Sequence, residues 1–321
     1  MKRRDLFVAA IGCAAAWPMR ALGDFPGKVW RMGFLAHGDE DFYGALFDAL
    51  RPLGYVEGKN LVVERRYAEG HSDRFTELAV ELLALKPDII VVTTTPAALA
   101  VKNAGIPVVF PNAVSPIESG VVASFANPGG NITGGAVQTA ILSTKRLAIL
   151  KEVVPGLSRG VVLWNAANPA LVHPWKESQL AAGPLGVKLE SVEIRNPEDI
   201  DAALATVAQI QADALIVLQD ALTLQHRRTI IDFSAQQNLP GMFVAREWVA
   251  AGGLMSYGEN LADMYRRGAY FVDRILKGAK PADVPVEQVT KFELVLNLRT
   301  AKAMGCEIPG AILATADEII E

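Results

Sequence analysis

The chain of 321 residues carries 31 basic and 35 acidic side chains, a formal charge of −4, with 51% hydrophobic and 21% charged residues. At roughly 100–200 residues per domain that length fits one large or two ordinary domains, and the apolar fraction excludes a disordered or fibrous chain. A mildly acidic chain with 7% aromatic residues lacks the basic footprint of a nucleic-acid binder, and two cysteines exclude a disulfide scaffold or a multi-cysteine metal site.

Lys2-Arg3-Arg4 precede an apolar stretch over 6–19, and Ala21-Leu22-Gly23 supplies small residues for a signal peptidase. That order is an export signal, and its apolar stretch falls short of the roughly 20 residues that span a bilayer. Arg3-Arg4-Asp5-Leu6-Phe7 resembles a twin-arginine signal, while Ala10-Ile11-Gly12-Cys13 is a loose lipobox that would instead place lipid on Cys13. Cleavage near Gly23 removes four of the 31 basic and one of the 35 acidic residues. The remaining 27 and 34 give a net charge of −7. It also leaves Cys306 as a single packed thiol, so the expected periplasmic chain has no internal disulfide.

From Trp30 short apolar runs alternate with longer amphipathic ones, as in βαβ units around a parallel sheet. Strands are predicted at 31–35, 61–67, 88–93 and 107–110, with helices near 42–53, 73–85 and 97–103. A turn region at 127–135 and the stretch up to 144 read as a crossing. The order then restarts with strands at 160–164, 187–194, 213–218 and 241–244, and helices at 174–182, 197–211 and 226–237. A strand at 253–257, a long amphipathic helix at 260–277 and a strand at 290–297 follow. Lys86-Pro87-Asp88-Ile89-Ile90 matches Gln211-Ala212-Asp213-Ala214-Leu215 in chemistry and place, and Met32 pairs likewise with Val161. Such offsets suggest two similar lobes, with one large doubly wound sheet as the alternative.

Ligands of open parallel sheets bind outside the carboxyl ends of the strands. Those ends carry His37, Thr94, Thr95 and Ser115 in the first half and Trp164, Asn165, Asp220, Glu247 and Tyr257 in the second. Each also has a structural reading. Thr95 before Pro96 suits a helix start, Asp220 and Glu247 suit solvent-facing charges, and Trp164 suits a core. No catalytic or metal motif stands out. Gly156-Leu157-Ser158-Arg159-Gly160 matches G-x-S-x-G, but a helix precedes it and a strand follows, the reverse of a nucleophile elbow. His37, His71, His173 and His226 are scattered without metal-ligand spacing, and Gly58-Lys59 lacks the spacing of a phosphate loop. No cofactor or metal is expected.

Five segments carry a resemblance: Leu53-Gly54-Tyr55-Val56-Glu57-Gly58-Lys59-Asn60, Asn127-Pro128-Gly129-Gly130-Asn131-Ile132-Thr133-Gly134, Ala251-Gly252-Gly253-Leu254-Met255-Ser256-Tyr257-Gly258, Ile275-Leu276-Lys277-Gly278-Ala279-Lys280-Pro281-Ala282-Asp283 and Thr290-Lys291-Phe292-Glu293-Leu294-Val295-Leu296-Asn297. Together they resemble the exported ABC-transporter substrate-binding proteins of the tryptophan/tyrosine type. The resemblance implies an α/β chain of the type I periplasmic-binding-protein architecture. Two Rossmann-like lobes with parallel sheets would flank a ligand cleft. Mapped here, the first lobe takes 24–143 and 259–286, and the second takes 144–258 and 287–321, after an export signal at 1–23. It implies a monomeric receptor that closes by a hinge on a small polar or aromatic molecule, such as an amino acid. The receptor would deliver that molecule to an ABC permease in the inner membrane. By position it implies Thr94, Thr95, Asn165, Asp220, Glu247 and Tyr257 as pocket residues. Ser115-Pro116 stands where the family pattern has Asp-Pro, so a carboxylate for an α-ammonium group is lacking there. The competing readings are an exported α/β hydrolase or transferase using Asp220 and Glu247, or a ligand-sensing domain of a signalling system.

Overall fold

The computed structural model describes residues 28–137 and 139–321. The export signal expected at 1–23, with Arg3, Arg4 and Cys13, lies outside the described residues. Thirteen strands form two sheets among the described residues. The first sheet takes β1 (Trp30–Ala36), β2 (Leu61–Tyr67), β3 (Ile89–Val92), β4 (Val108–Val114) and β5 (Ile132–Val137). The second takes β6 (Arg159–Asn165), β7 (Lys188–Ile194), β8 (Ala214–Val217), β9 (Gly241–Phe243) and β10 (Met255–Gly258). β11 (Glu287–Gln288) joins the edge of the first sheet, and β12 (Glu293–Asn297) and β13 (Glu318–Ile320) join the second.

The two sheets repeat one order: β2-β1-β3-β4-β5 in the first and β7-β6-β8-β9-β10 in the second. All described pairings are parallel except β10 with β12. The sequence landmarks Asp88 and Asp213 do the same work in each sheet. Asp88 Oδ2 accepts the Arg31 N–H at 2.8 Å, and Asp213 Oδ2 accepts the N–H groups of Ser158 and Arg159, each at 2.8 Å. A carboxylate just before the third strand thus satisfies the backbone donor that opens the first, fixing the register of the central pair. Those backbone bonds hold the Asp213 carboxyl below its usual value.

Several elements were not legible as such. The region at 127–135 read as a turn runs into β5, every residue of which is buried. Gly134 and Gly135 hide it, because glycine weakens a strand signal. Here they are required: a Cβ on Gly134 would stand 1.9 Å from the Phe110 carbonyl oxygen, and one on Gly135 would stand 2.6 Å from that of Pro111. The close approach follows the irregular register of β4 between Phe110 and Ala113.

The chain passes between the sheets three times among the described residues: through the helix Thr139–Val153, between β10 and the helix Leu261–Leu276, and between β11 and β12. The long helix returns to the first sheet, where Tyr265, Ala269, Val272 and Ile275 pack on Met32, Phe34, Leu46 and Leu50. The last crossing comes later than position 287. Glu287–Gln288 pair with Gly135 and Ala136, and Arg267 of the long helix grips Glu287 at 2.5 Å.

At the second crossing the backbone is tightly enclosed. A Cβ on Gly258 would lie 1.9 Å from the Val244 carbonyl oxygen, which belongs to the neighbouring chain segment and cannot swing aside as a side chain would. Gly258→Ala is therefore expected to cost about 1–3 kcal/mol or more in urea unfolding, the range of overpacking. An unchanged midpoint would contradict this packing.

Candidate functional site

The carboxyl ends of both sets of strands face one gap, where the polar residues that end each strand enclose a cleft. Its empty space is about 690 Å³, counted out to the mouth. Thr93, Thr94 and Thr95 enter it where β3 ends, and Asn112 and Val114 enter it from β4. Thr94 starts the helix Thr95–Val101, its hydroxyl accepting the Ala97 N–H at 3.4 Å, while Thr95 Oγ1 donates to the Val114 carbonyl at 3.3 Å. The second sheet contributes Gln219 and Asp220 after β8, and Val244, Ala245 and Trp248 after β9.

An aromatic wall closes one side. Phe42 and Tyr43 come from the 3-10 turn Asp41–Tyr43 that follows β1, and Tyr265 comes from the long helix. Their rings meet at centroid distances of 4.9 Å (Phe42–Tyr43), 5.3 Å (Phe42–Tyr265) and 4.9 Å (Tyr43–Tyr265). Burial raises the Tyr43 and Tyr265 phenols above their usual pKa, so both are neutral hydroxyls. Trp248 stacks on Phe243 at 4.7 Å on the opposite lobe, and its Nε1 is buried with no partner among the described residues.

Asp220 is the fixed point of the polar side. Its Oδ1 accepts from Asn165 Nδ2 and the Leu222 N–H, both at 2.9 Å, and its Oδ2 accepts from Asn168 Nδ2 at 2.8 Å. It thereby starts the helix Ala221–Gln225 and locks the two asparagines around the cleft floor. Glu40 of the first lobe pairs with Arg227 of the second at 3.1 Å, so one ion pair spans the mouth. Burial raises the Glu40 carboxyl and Arg227 opposes that rise. No lysine, arginine or histidine stands among the described lining residues.

Of the nine residues singled out from sequence, Thr94, Thr95 and Asp220 line the cleft. Asn165 lies directly behind Asp220. His37 is fully buried below the rim, its ring 4.7 Å from Phe75 and its Nε2 3.4 Å from the Ser72 hydroxyl. Ser115 is buried beyond β4, and its carbonyl accepts from Ser119 Oγ at 2.8 Å. Glu247 is half-buried on the short helix Arg246–Ala250, outside the lining, with its carboxyl pushed up by burial. Tyr257 sits at a crossing with its ring 6.2 Å from Phe292. Trp164 belongs to the second lobe's core, where its Nε1 donates to Ser191 Oγ at 2.8 Å and its ring stacks on Trp175. Phe42, Tyr43, Trp248 and Tyr265 were not singled out. The available signal was an aromatic residue within the first turn after a strand end, which Phe42, Tyr43 and Trp248 share.

Burial lowers the His37 pKa from the usual 6.5, with Asp220 opposing and His71 reinforcing the shift. The unfolded chain therefore takes up this proton at a higher pH than the folded one. The stability that neutral His37 contributes is complete above about pH 6.5 and is lost as the pH falls through the depressed folded value. His37→Gln should accordingly flatten the fall in melting temperature of the ligand-free protein between about pH 6.5 and 5 relative to wild type.

Residues 34–320 match the family model described as ABC transporter substrate binding protein. A tyrosine-binding protein of Clostridioides difficile is 23% identical over 258 residues, covering 80% of this chain and 74% of that protein. Among solved structures, an ABC domain from Streptococcus pneumonia in complex with L-Trp has a TM-score of 0.84 at 23% identity, covering 91% of this chain and all of the other. A conserved domain protein from Vibrio cholerae also reaches 0.84, at 25% identity and the same coverage. The ligand-free, open form of a Clostridium difficile substrate-binding protein with adhesive properties gives 0.62 at 20% identity, covering 91% and 99%. With its two duplicated sheets and the cleft between them, the chain belongs to the ABC transporter substrate-binding protein family, and it is a solute-binding protein rather than an enzyme.

Proposed function

We propose that the protein captures an aromatic amino acid or a close analogue in the cleft, outside the cytoplasm, and delivers it as a monomer to a membrane permease. The observation that carries this reading is the pairing, in one cleft, of an aromatic wall with a polar floor. The ligand ring lies among Phe42, Tyr43, Trp248 and Tyr265, where offset or edge contacts favour another aromatic group. The carboxylate meets the Thr94 hydroxyl, whose proton is free because its oxygen accepts the Ala97 N–H, and the ammonium group meets Asp220. Lining residues with no cationic side chain favour a zwitterion over a dianion, whose second charge would stay unpaired. The tyrosine-binding and L-Trp-bound relatives support the same class of ligand. Export to the periplasm, by the twin-arginine route, rests on the pattern at 1–23.

A thermal-shift screen of the mature chain against the amino acids tests this. Ligand at 100 times its Kd adds about 2.7 kcal/mol to stability, so an aromatic amino acid should raise the melting temperature where aliphatic ones do not. Thr94→Val, which keeps shape and removes the hydroxyl, should weaken binding by about 1 kcal/mol, or roughly fivefold. Phe42→Ala should weaken aromatic ligands more than aliphatic ones. A screen in which no aromatic amino acid shifts the melting temperature would sink the reading.

A further inference from the structure

Glu259 drew no attention in the sequence, yet it is the most deeply enclosed carboxylate of the molecule's centre. It stands in the second crossing, between β10 and the long helix, and is 1% exposed. Its Oε1 takes the side-chain N–H of Gln219, which ends β8 in the second lobe, and faces Asn112 Nδ2 of β4 in the first lobe across a long 3.5 Å contact. Both amides line the cleft. Behind Glu259 lies Arg146 of the first crossing, 5% exposed, whose Nε donates to the Tyr257 carbonyl at 2.6 Å. Glu259 Oε2, Arg146 Nη2 and Asn112 Oδ1 are each buried with no partner among the described residues. Burial pushes the Glu259 carboxyl up from its usual value, and Arg146 is the strongest influence holding it down. Burial likewise brings the Arg146 guanidinium down to about 10, which leaves it charged at neutral pH.

An amide can turn either of its two ends to a neighbour, but an ionised carboxylate can only accept. We infer that Glu259 is a positioning residue that takes an N–H from one cleft amide of each lobe and so turns the carbonyl oxygens of Asn112 and Gln219 to a hydrogen-bond donor of the ligand. The same contact ties the ligand wall to two of the three crossings, through Arg146 and Tyr257. Asn112 and Gln219 come from opposite lobes, so their shared carboxylate holds the lobes together, and Glu259 contributes to closure as well as to the choice of ligand. The inference rests on the cleft being the ligand site. It adds that the ligand presents an N–H or O–H donor to this wall.

Two measurements test it. In ligand-free protein, the side-chain NH₂ signals of Asn112 and Gln219 in nitrogen–proton NMR should be shifted from their ordinary positions and return towards them in Glu259→Gln. With L-tyrosine as the probe, Glu259→Gln and Gln219→Met should each raise Kd at least about tenfold, and the double variant should lose little more than the worse single one, because the two groups act as a unit. If Glu259→Gln leaves Arg146 charged, unpaired and the protein unfolded, Arg146→Met beside it removes the stranded charge and restores the fold for the same measurements. Unchanged NH₂ signals would overturn the inference, and so would additive losses or wild-type affinity in both single variants. If wild type fails to bind L-tyrosine, the aromatic ligand reading fails and the NMR comparison alone decides the role of Glu259.

Discussion

Polar side chains at the ends of parallel strands must be hydrogen-bonded once two lobes shut over them, and that requirement shapes the centre of this protein. An unpaired buried donor or acceptor costs about 1–3 kcal/mol. Asp220 meets the requirement within its own lobe, through Asn165, Asn168 and the Leu222 N–H. Glu40 meets it across the mouth, through Arg227. Asn112 Oδ1 and Trp248 Nε1 belong to cleft residues and have no partner among the described residues. A bound solute with matching polar atoms would relieve that cost, which makes closure conditional on the solute.

The duplicated architecture supplies the geometry for this. Each sheet repeats the order in which the first strand lies between the second and the third, so each brings the same set of strand ends to the gap. Asp88 and Asp213 hold the central pair of each sheet in register from the far end. The sheets are rigid, with β3 and β8 buried at every residue, and motion is therefore left to the crossings. There Gly258 admits no side chain and Glu259 faces amides from both lobes. Chemistry at the cleft and mechanics at the hinge thus share residues that adjoin in the chain.

Much of this was legible in the sequence for a physical reason. Parallel strands buried on both faces read as unbroken apolar runs, and 88–93 brackets β3, while the alternation over 61–67 coincides with the partly exposed edge strand β2. The repeat of Asp88 at Asp213 was visible because both solve the same backbone problem. The glycines of β5 concealed a strand, since its side chains had been removed to make room for β4. In the site, Thr94, Thr95 and Asp220 could be named because strand ends and helix starts leave polar signatures. Trp164 follows the same positional rule, yet its indole has a partner in Ser191 and turns into the core. Phe42, Tyr43 and Tyr265 look like ordinary helix-face aromatics, and only the return of the long helix to the first lobe makes them a wall. Glu259 was illegible because its partners lie 147 and 40 residues away.

The central claim is that the two lobes close on a solute held between an aromatic wall and a polar floor. Small-angle X-ray scattering of the mature protein, with and without a solute that raises its melting temperature, addresses this directly. The account predicts a smaller radius of gyration when the solute is saturating, as the lobes move from an open to a closed population. Saturated binding with an unchanged scattering curve would contradict it.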